Sequence, residues 1–439
     1  MKNSGVEWIG EIPNEWEVKR GKELFFEIND RCKNPENYPL LSVSEYYGVA
    51  PKSEKIEEGD FITHAETLDG YKICQKGDIV QNIMLAWKRA TGMSNYEGLI
   101  SPAYCIYRPY KSIDSKYYHY LFRTDVYADL FKQYSTGIID SRLRLYPAKF
   151  LSLKYAYPPK ETQQRIATYL DKKCSKIEET IQNQQQVIEK LKAYKQSLIT
   201  EAVTGKVKIE NGKACGEYES YKESRLKWLG DFKIPKKWNS IQVKSCVSIP
   251  VVDGPHESPE LFDNGIPYIS ATAIENSKID FSLKRGFISE KYCDECDKRY
   301  KPMKDDILMI KLGATTGQVA IVETDERFNI WVPLAAIRCN KNIALPKFVF
   351  YSFQSDYCLK QMEMSWTFGT QQTLGVSSIE RLKIFLPNIE TQKEIADYLN
   401  KKCTAIDTAI EQKQKLIVKL TEYKKSLIYE CVTGKKEIS

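Results

Sequence analysis

The sequence predicts an α+β protein in which two globular domains alternate with two long helices that pair as an antiparallel coiled coil. Three observations support this fold class: a long internal repeat, helical spacing of apolar residues inside it, and short strand-like runs between the copies. Segment 161–206 returns as segment 390–435 at a constant offset (391 − 162 = 229). Both copies contain Glu-Thr-Gln, Ile-Ala-x-Tyr-Leu, Lys-Lys-Cys, Tyr-Lys-x-Ser-Leu-Ile and Val-Thr-Gly-Lys without a gap.

Each copy is predicted to form one amphipathic helix, because its apolar residues recur at spacings of three, four and seven with Lys, Glu and Gln between them. About 40 residues at 1.5 Å each make a helix of about 60 Å, which must pack against something equally long. The other copy is the obvious partner. We expect the packing residues of this helical frame to be Ile166, Leu170, Ile177, Ile181, Ile188, Leu191 and Leu198, and then Ile395, Leu399, Ile406, Ile410, Ile417, Leu420 and Leu427.

Proline precedes and glycine follows each copy, which predicts helices over residues 159–206 and 387–435. A polar residue interrupts each line of packing residues midway, Gln184 in the first helix and Lys413 in the second. Either these positions are solvated gaps, or they fix the register of the helices and their choice of partner.

The two helices are expected to run antiparallel. The predicted linker, residues 207–227, is too short to run back along a helix of this length and still leave room for a domain to begin. Antiparallel pairing of two near-identical helices creates a pseudo-twofold relation, which carries whatever precedes each helix to opposite ends.

The segments before the helices, residues 1–158 and 228–386, are predicted to be α+β domains. Both open with a related Trp-containing stretch, and a short tail, residues 436–439, follows the second helix. The two domains differ strongly in sequence although their flanks match, so a constant frame carries two different domains. Strand-like runs broken by Gly, Pro and Asn lie at 78–86, 103–107, 306–311 and 319–322, and helical patterns lie at 117–131 and 346–362.

The composition is that of a globular, unexported protein. Of the 439 residues, 42% are hydrophobic and 12% aromatic, which is sufficient for substantial cores. No apolar run approaches the length of about 18 residues that a membrane span needs, and no signal pattern opens the chain, so a soluble cytoplasmic protein without a membrane partner is expected. The twelve cysteines are scattered, as in reduced cytosolic proteins. A net charge of +7 does not by itself indicate nucleic acid.

Further motifs follow one another in a specific order along nearly the whole chain. They are Trp8-Ile-Gly-Glu-Ile-Pro13, Gly77-Asp-Ile-Val80, Ser101-Pro-Ala-Tyr104, Asp253-Gly-Pro-His256, Gly265-Ile-Pro-Tyr-Ile-Ser270, Asp306-Ile-Leu308 and Gly313-Ala-Thr-Thr-Gly317. Together with the repeated helix, this order resembles the DNA-specificity (S) subunit of Type I restriction-modification systems. The chain departs from the family pattern where the usual Glu-Gln before each helix is Glu-Thr-Gln.

The resemblance implies a non-catalytic DNA-recognition subunit. In that family two target-recognition domains each read one half of a bipartite DNA site, the helices set the spacing, and two methyltransferase (modification) subunits dock on the helical frame. Residues 1–158 would be target-recognition domain 1 and residues 228–386 target-recognition domain 2. The expected partners are double-stranded DNA, two methyltransferase subunits and, through the complex, the restriction (translocase) subunits; no cofactor or metal is expected.

Candidate DNA-binding residues of the first domain lie in two loops. Bases are read by Arg, Lys, Asn, Gln, Ser and Thr side chains, and phosphates are bound by Lys and Arg. Segment 87–91 follows an apolar strand, where a loop should emerge, and segment 135–144 is polar and contains glycine. The alternative for each is an ordinary solvated loop. We expect DNA contacts from Lys88, Arg89, Thr91, Ser141, Arg142 and Arg144.

In the second domain, segment 367–372 mirrors segment 135–144 in its position just before the strand that leads to a long helix. The turn at 253–258 contains a single histidine, which either donates to a base or caps its own loop. We expect DNA contacts from His256, Ser258, Thr315, Thr316, Thr370, Gln371 and Gln372.

The sequence carries no recognisable catalytic motif. Segment 157–160 lacks the Asn or Asp and the aromatic residue of an amino-methyltransferase loop, and no lysine follows Gly317 as a phosphate-binding loop requires. The remaining alternative is a standalone DNA methyltransferase or nuclease with an unrecognised active site. Methyl transfer from S-adenosylmethionine by the isolated chain would favour that alternative.

Two small clusters have a chemical alternative. Asp305, Asp306 and Lys311 either form a metal-dependent nuclease site or are ordinary strand-edge charges. Cys293 and Cys296 either bind zinc or lie in a surface loop, and no second Cys pair stands at zinc-site spacing.

Overall fold

The computed structural model describes residues 1–33, 35–54, 68, 70–224, 226, 228, 232–368 and 371–438. The chain forms two compact units: unit 1 comprises residues 1–184 and 414–439, and unit 2 comprises residues 185–413. Each unit therefore contains one α+β domain, the first half of the long helix that follows it, and the last half of the other long helix. The predicted midpoints lie at the two boundaries between the units. Gln184 is the last residue of the first segment of unit 1, and Lys413 is the last residue of unit 2.

Unit 1 is built on an antiparallel sheet with strand order β4-β11-β8-β9. Its helices are α1 (Gly21–Leu24), α2 (Ser115–Phe122), α3 (Asp125–Gln133), α4 (Pro147–Ser152) and the start of the long helix α5 (Lys160–Thr204). Its strands are β1 (Lys2–Asn3), β2 (Glu11–Ile12), β3 (Glu17–Arg20), β4 (Phe25–Ile28), β5 (Leu41–Ser44), β6 (Gly48–Pro51), β7 (Lys72–Cys74), β8 (Ile79–Asn82), β9 (Thr91–Met93), β10 (Gly98–Ile100), β11 (Tyr104–Pro109) and β12 (Lys154–Tyr157).

Unit 2 has an equivalent antiparallel sheet, β18-β26-β23-β24, and a smaller mixed sheet, β22-β19-β25. Its helices are α6 (Glu290–Arg299), α7 (Pro346–Gln354), α8 (Asp356–Met364), α9 (Val376–Arg381) and the start of the long helix α10 (Ile389–Val432). Its strands are β13 (Ile209–Glu210), β14 (Lys213–Ala214), β15 (Tyr221–Glu223), β16 (Lys233–Pro235), β17 (Asn239–Gln242), β18 (Val252–Asp253), β19 (Ile266–Ile269), β20 (Ile274–Glu275), β21 (Lys278–Ile279), β22 (Gly286–Ile288), β23 (Ile307–Ile310), β24 (Val319–Ile321), β25 (Asn329–Ile330), β26 (Leu334–Ile337), β27 (Thr367–Phe368), β28 (Gln372–Thr373) and β29 (Lys383–Leu386).

The long helices α5 and α10 contain 45 and 44 residues and lie where the repeat predicts them. Both end a few residues earlier than predicted, because Gly205 and Gly434 adopt left-handed conformations with φ of +70° and +73°. Every predicted packing residue is buried or half-buried. The spacing did not single out the tightly packed positions near the helix ends, which include Cys174, Ile199, Val203, Cys403 and Val432.

The predicted antiparallel pairing is confirmed within each unit. In unit 1, Ile177 in the first half of α5 lies in the same apolar cluster as Leu427 near the end of α10. An ion pair joins Lys424 to Glu178 there, and in unit 2 an ion pair of 2.7 Å joins Lys195 to Asp407. These are the same pair in the two copies, since both members are offset by 229 (424 − 195 and 407 − 178).

Both domains share a buried Asp–Arg pair that connects two sheet strands. In unit 1, Arg108 of β11 donates two hydrogen bonds, of 2.9 and 3.0 Å, to Asp78 at the start of β8. In unit 2, Arg338 after β26 donates in the same way to Asp306 before β23, at 2.8 and 2.7 Å. The motif residues Asp78 and Asp306 therefore hold equivalent places in two domains of different sequence.

The glutamine of each Glu-Thr-Gln motif fastens its helix to its domain. The fully buried Gln163 donates to the Pro158 carbonyl at 2.8 Å and accepts from the Asp114 amide at 2.8 Å. In unit 2, the equally buried Gln392 donates to the Pro387 carbonyl at 2.9 Å and accepts from Leu345 at 2.8 Å. Because these bonds satisfy backbone groups at the helix start, they explain why the glutamine recurs in both copies.

A tryptophan at the opening of each domain packs on the end of the long helix that arrives from the other domain. In unit 1, a Cβ added to Gly434 would collide with Pro13 and lie 3.2 Å from the ring of Trp16. In unit 2, a Cβ on Gly205 would collide with Pro235 and lie 3.3 Å from the ring of Trp238. Glycine is therefore required at both helix ends for conformation and for space.

The segment predicted as a plain linker, residues 207–227, has structure of its own. Strands β13 and β14 pair as a hairpin, and β15 pairs with β16. Ile209 and Leu226 are buried in the core of unit 2. The predicted helical patterns each resolve into two helices, α2 with α3 and α7 with α8, because Thr124 and Ser355 adopt extended backbone conformations between them.

Candidate nucleic-acid interface

The first candidate loop of unit 1 lies between β8 and β9. Lys88 is exposed, with its ammonium 5.3 Å from the ring centre of Trp87. Arg89 adopts a left-handed conformation (φ +67°) and pairs with Asp125 at the start of α3. The expectation for Thr91 was wrong: it lies in β9 with no exposed surface, because its place in the strand turns the side chain into the domain.

The second candidate loop of unit 1, segment 135–144, is a hairpin between α3 and α4. Thr136 and Arg144 exchange two backbone hydrogen bonds, of 2.9 and 3.0 Å, and a turn of 3-10 helix at 140–142 follows the tip. Arg142 and Arg144 are exposed, and Ser141 lies within the turn. The equivalent loop of unit 2 is the hairpin of β27 and β28, so the predicted correspondence in position is confirmed.

Lys132 of α3 brings the two loops of unit 1 together. Its ammonium lies 4.8 Å from the ring centre of Trp87 and 2.9 Å from the carboxylate of Asp140. The backbone adds a second link, since the amide of Leu145 donates to the carbonyl of Ile83 at 2.9 Å. Lys88, Arg142 and Arg144 are therefore presented by one continuous group of loops, which we call face 1.

A partly buried arginine supports face 1 from beneath. The guanidinium of Arg123 donates to the carbonyls of Glu45 and Tyr46, both at 2.9 Å, and of Arg89 at 2.7 Å. Burial, and then the nearby positive charge of Arg89, lowers the pKa of Arg123 to about 10. The guanidinium therefore fixes the loop that carries Lys88 and Arg89, using backbone carbonyls alone.

Neutral His119 of α2 is hydrogen-bonded to strand β9. Its Nδ1 accepts a hydrogen bond of 3.2 Å from the Met93 amide, and burial, followed by the charges of Arg123 and Lys116, lowers its pKa to about 3. In the unfolded chain His119 becomes protonated below about pH 6.5, whereas in the folded chain it stays neutral down to about pH 3. Stability therefore falls as the pH drops through this window.

We expect this loss to reach at most about 1.4 kcal/mol per pH unit. Hydrogen exchange of the β9 amides in the full chain, measured from pH 7.5 to 5, should show it. His119→Asn should be less protected at pH 7.5 but should have a flatter pH profile. His256→Asn, at an exposed histidine, serves as the control and should keep the wild-type slope. A wild-type slope in His119→Asn would contradict the assignment.

The turn that carries His256 is organised around one carboxylate, that of Asp253. It accepts from Lys311 at 2.6 Å, from Arg299 at 2.5 Å and from His256 at 3.3 Å. Burial raises the pKa of this carboxyl, but the hydrogen bond and charge of Lys311 and the charge of Arg299 outweigh it and hold the pKa below its usual value. His256 and Arg299 remain largely exposed and line, with Tyr292, a cavity of about 370 Å³.

Two further loops are linked to this cluster through Lys311, whose backbone carbonyl accepts from the Leu374 amide at 2.8 Å. The amide of Gly313 donates to the carbonyl of Gln372 at 3.0 Å, which ties the turn 313–317 to the hairpin of β27 and β28. Gln371, Thr315 and Ser258 are exposed, and Gln372 is half-buried. We call the loops that carry these residues and His256 face 2.

Two of the residues expected in face 2 do not support the expectation. Thr316 is 8% exposed and its hydroxyl donates to the Gly313 carbonyl at 2.7 Å, so it stabilises the turn instead of facing solvent. Thr370 lies outside the described residues.

The two clusters with a chemical alternative have structural roles. Asp306 binds Arg338, Asp305 pairs with Lys341 at 2.6 Å, and Lys311 pairs with Asp253. Cys293 and Cys296 are both buried in α6, and burial raises the pKa of both thiols. Within the described residues, no group of three or more His, Cys, Asp or Glu side chains is placed to hold a metal ion.

Sequence reasoning missed the residues that organise both faces. Lys132, Arg123, Asp253 and Arg299 were not singled out, although each contacts a predicted loop. Of these four residues, only Asp253 lies in a motif visible in the sequence, since it opens Asp-Gly-Pro-His.

Known proteins resemble both the sequence and the fold. Residues 235–420 match the family model of the Type I restriction modification DNA specificity domain. The putative type I restriction enzyme MjaX specificity subunit of Methanocaldococcus jannaschii is 25% identical, over 97% of this chain and 95% of that protein. The type I restriction enzyme EcoBI specificity subunit of Escherichia coli is 24% identical, over 63% of this chain and 57% of that protein.

Among solved structures, a chain from a study of complex assembly and conformational transition of the type I R-M system gives a TM-score of 0.68. It is 13% identical and covers 97% of this chain and all of its own. The HsdS subunit from Thermoanaerobacter tengcongensis gives a TM-score of 0.52 at 12% identity, covering 99% of this chain and all of its own. In the described part of the chain, no helix has the apolar length that a bilayer requires.

The duplicated domain-and-helix architecture and these matches make the chain similar, over nearly its whole length, to specificity subunits of Type I restriction-modification systems.

Proposed function

We propose that this chain is the DNA sequence-specificity subunit of a Type I restriction-modification complex and reads a bipartite site with one domain per half-site. The observation that carries the proposal is the pair of loop faces, at equivalent places in the two domains but with different side chains. Face 1 presents Lys88, Arg142 and Arg144, whereas face 2 presents His256 and Gln371. Arg and Lys read guanine and Gln reads adenine, so the two faces are suited to different bases.

Partner binding follows from the repeated frame. Each unit contains the same helix pairing, and most residues of α5 and α10 outside the packing line are exposed. We propose that two methyltransferase subunits dock there, one on each unit, and that the restriction subunits join through them. The chain itself would recognise DNA without catalysing a reaction, and its twelve free cysteines suit a cytoplasmic location.

The half-site assignment predicts that changes in face 2 act on one half of the target only. Gln371→Ala should cost about 1–3 kcal/mol of binding free energy at one base position of the half-site read by unit 2. Gln372→Ala should affect the same half-site less, because that side chain is half-buried. Selection of bound duplexes from a randomised library by the assembled complex would measure both.

Arg142→Ala in face 1 is the matched control and should alter only the other half-site. A change that weakens all sequences alike, with a salt slope smaller by about one, would identify a phosphate contact. Relaxation of the half-site read by residues 1–158 in Gln371→Ala, or no change in any variant, would contradict the placement of the reading loops.

A further inference from the structure

The tip of the hairpin in face 1 exposes two adjacent isoleucines. Ile138 is 100% exposed, the largest fraction among the exposed large hydrophobic residues in the described part of the chain, and Ile139 is 53% exposed. Two adjacent exposed isoleucines at a hairpin tip form a small apolar patch, and such a patch rimmed by polar residues is suited to contact with a partner.

The tip is held outward by a rigid support. The two backbone hydrogen bonds between Thr136 and Arg144 close the stem, and the amide of Arg142 donates to the carbonyl of Ile139 at 2.8 Å. A side chain at Gly137 would collide with the carbonyl of Arg142, so the two arms of the hairpin are in close contact. The exposure of the isoleucines is thus fixed by the fold.

Beyond the tip, the stem is anchored in the domain. Leu143 is 9% exposed and Leu145 is fully buried, and these residues fasten the returning arm. The ion pair between Lys132 and Asp140 ties the base of the tip to α3. β-branched side chains have few rotamers, so two isoleucines on such a support form a stiff apolar projection.

Positive charge surrounds this projection. Arg142 and Arg144 are exposed within six residues of Ile138, and Lys88 belongs to the same face. The nearest acid, Asp140, is already paired with Lys132. The partner should therefore combine a polyanionic surface with an apolar interior that opens locally, which describes the phosphates and stacked bases of duplex DNA.

We propose that Ile138 and Ile139 insert as a wedge between neighbouring base pairs of the half-site read by unit 1, unstack them and kink the duplex. This inference rests on the proposed function and extends it from base reading to base-step deformation. Inserted apolar side chains kink DNA by about 20–90° in other proteins, and their free-energy cost depends on the step that opens. The wedge would therefore favour easily unstacked pyrimidine–purine steps that no side chain reads directly.

The test uses the full chain assembled with its methyltransferase subunits. Each duplex carries the fluorescent base 2-aminopurine, which reports unstacking, at one position of the half-site read by unit 1. Dye pairs at the duplex ends report bending. The variants are Ile138→Ala with Ile139→Ala, and Ile138→Leu with Ile139→Leu. Met303→Ala, at a 54% exposed apolar residue of unit 2, is the matched control.

With the wild-type complex, 2-aminopurine fluorescence should rise several-fold at one step only. The double alanine variant should lose this rise and the bend and bind about tenfold more weakly. The double leucine variant and Met303→Ala should behave as wild type. On a duplex with a mismatch at that step, the alanine variant should recover most of its affinity, because the step is already open.

Unchanged fluorescence and bending in the double alanine variant would overturn the wedge. So would failure of that variant to assemble with the methyltransferase subunits in native mass spectrometry, since the tip would then be a protein contact. Absence of sequence-specific DNA binding by the wild-type complex would instead refute the proposed function itself.

Discussion

Replacing Asp306 by alanine is expected to lower the free energy of unfolding of unit 2 by about 3–5 kcal/mol, because it leaves a partly buried guanidinium without its carboxylate. The Asp306 side chain is 2% exposed and that of Arg338 is 24% exposed. The carboxylate also accepts from the Tyr300 hydroxyl at 2.6 Å and the Met303 amide at 2.9 Å, and both donors would lose their partner. Loss of a single buried polar partner already costs about 1–3 kcal/mol.

Urea titration of the full chain, followed by hydrogen exchange of peptides from β23 and β26, would measure this effect in unit 2. Asp305→Asn is the control, because it keeps a residue type that tolerates the left-handed conformation at this position (φ +73°) and removes only an exposed ion pair. Asp78→Ala should have the corresponding effect on β8 and β11 of unit 1. A change below 1 kcal/mol in Asp306→Ala would show that the pair is dispensable.

Replacing Trp238 by alanine is expected to cost about 3–5 kcal/mol in unit 2 and to release the end of α5. The ring is 2% exposed and packs edge-on against Tyr218 and Phe348, with centroid distances of 5.8 and 6.4 Å. It also covers Gly205, so its loss removes the surface on which the helix end rests.

Hydrogen exchange of α5 residues 195–204 in the full chain should rise strongly in Trp238→Ala. Trp16→Ala should produce the equivalent effect at the end of α10, whereas Tyr423→Ala, at a 52% exposed position of α10, should change stability by less than about 0.5 kcal/mol. Unchanged exchange at the helix end in Trp238→Ala would mean that the tryptophan supports the domain alone.

The sequence predicted the frame well because the relevant interactions are periodic. Spacing of apolar residues located both helices and their packing line, and the short linker favoured the antiparallel direction that Ile177 and Leu427 confirm. The strands at Asp78 and Asp306 were also predicted, because a run of apolar residues next to a turn is a local signal.

The candidate site was predicted less well, because its side chains are brought together by tertiary structure. Thr91 was expected in a loop but is the first residue of a strand, and one position of register decides which face a side chain occupies. Asp253, Arg299 and Lys311 meet only after three separate elements have packed. Ile138 was not predicted to contact DNA, because base reading and phosphate binding are expected from polar side chains.

The division of the chain between its units has a consequence for synthesis on the ribosome. Unit 2 is one continuous segment, residues 185–413, whereas unit 1 is completed by the segment that begins at residue 414. That segment covers Trp16, and its Val432 carbonyl accepts a hydrogen bond from the Tyr117 hydroxyl. Domains usually complete folding in the order in which they emerge. Here the domain that emerges first is completed last, so its apolar surface stays uncovered until the segment after residue 413 leaves the exit tunnel. A chain that stops at residue 413 would leave unit 1 open while keeping unit 2 whole.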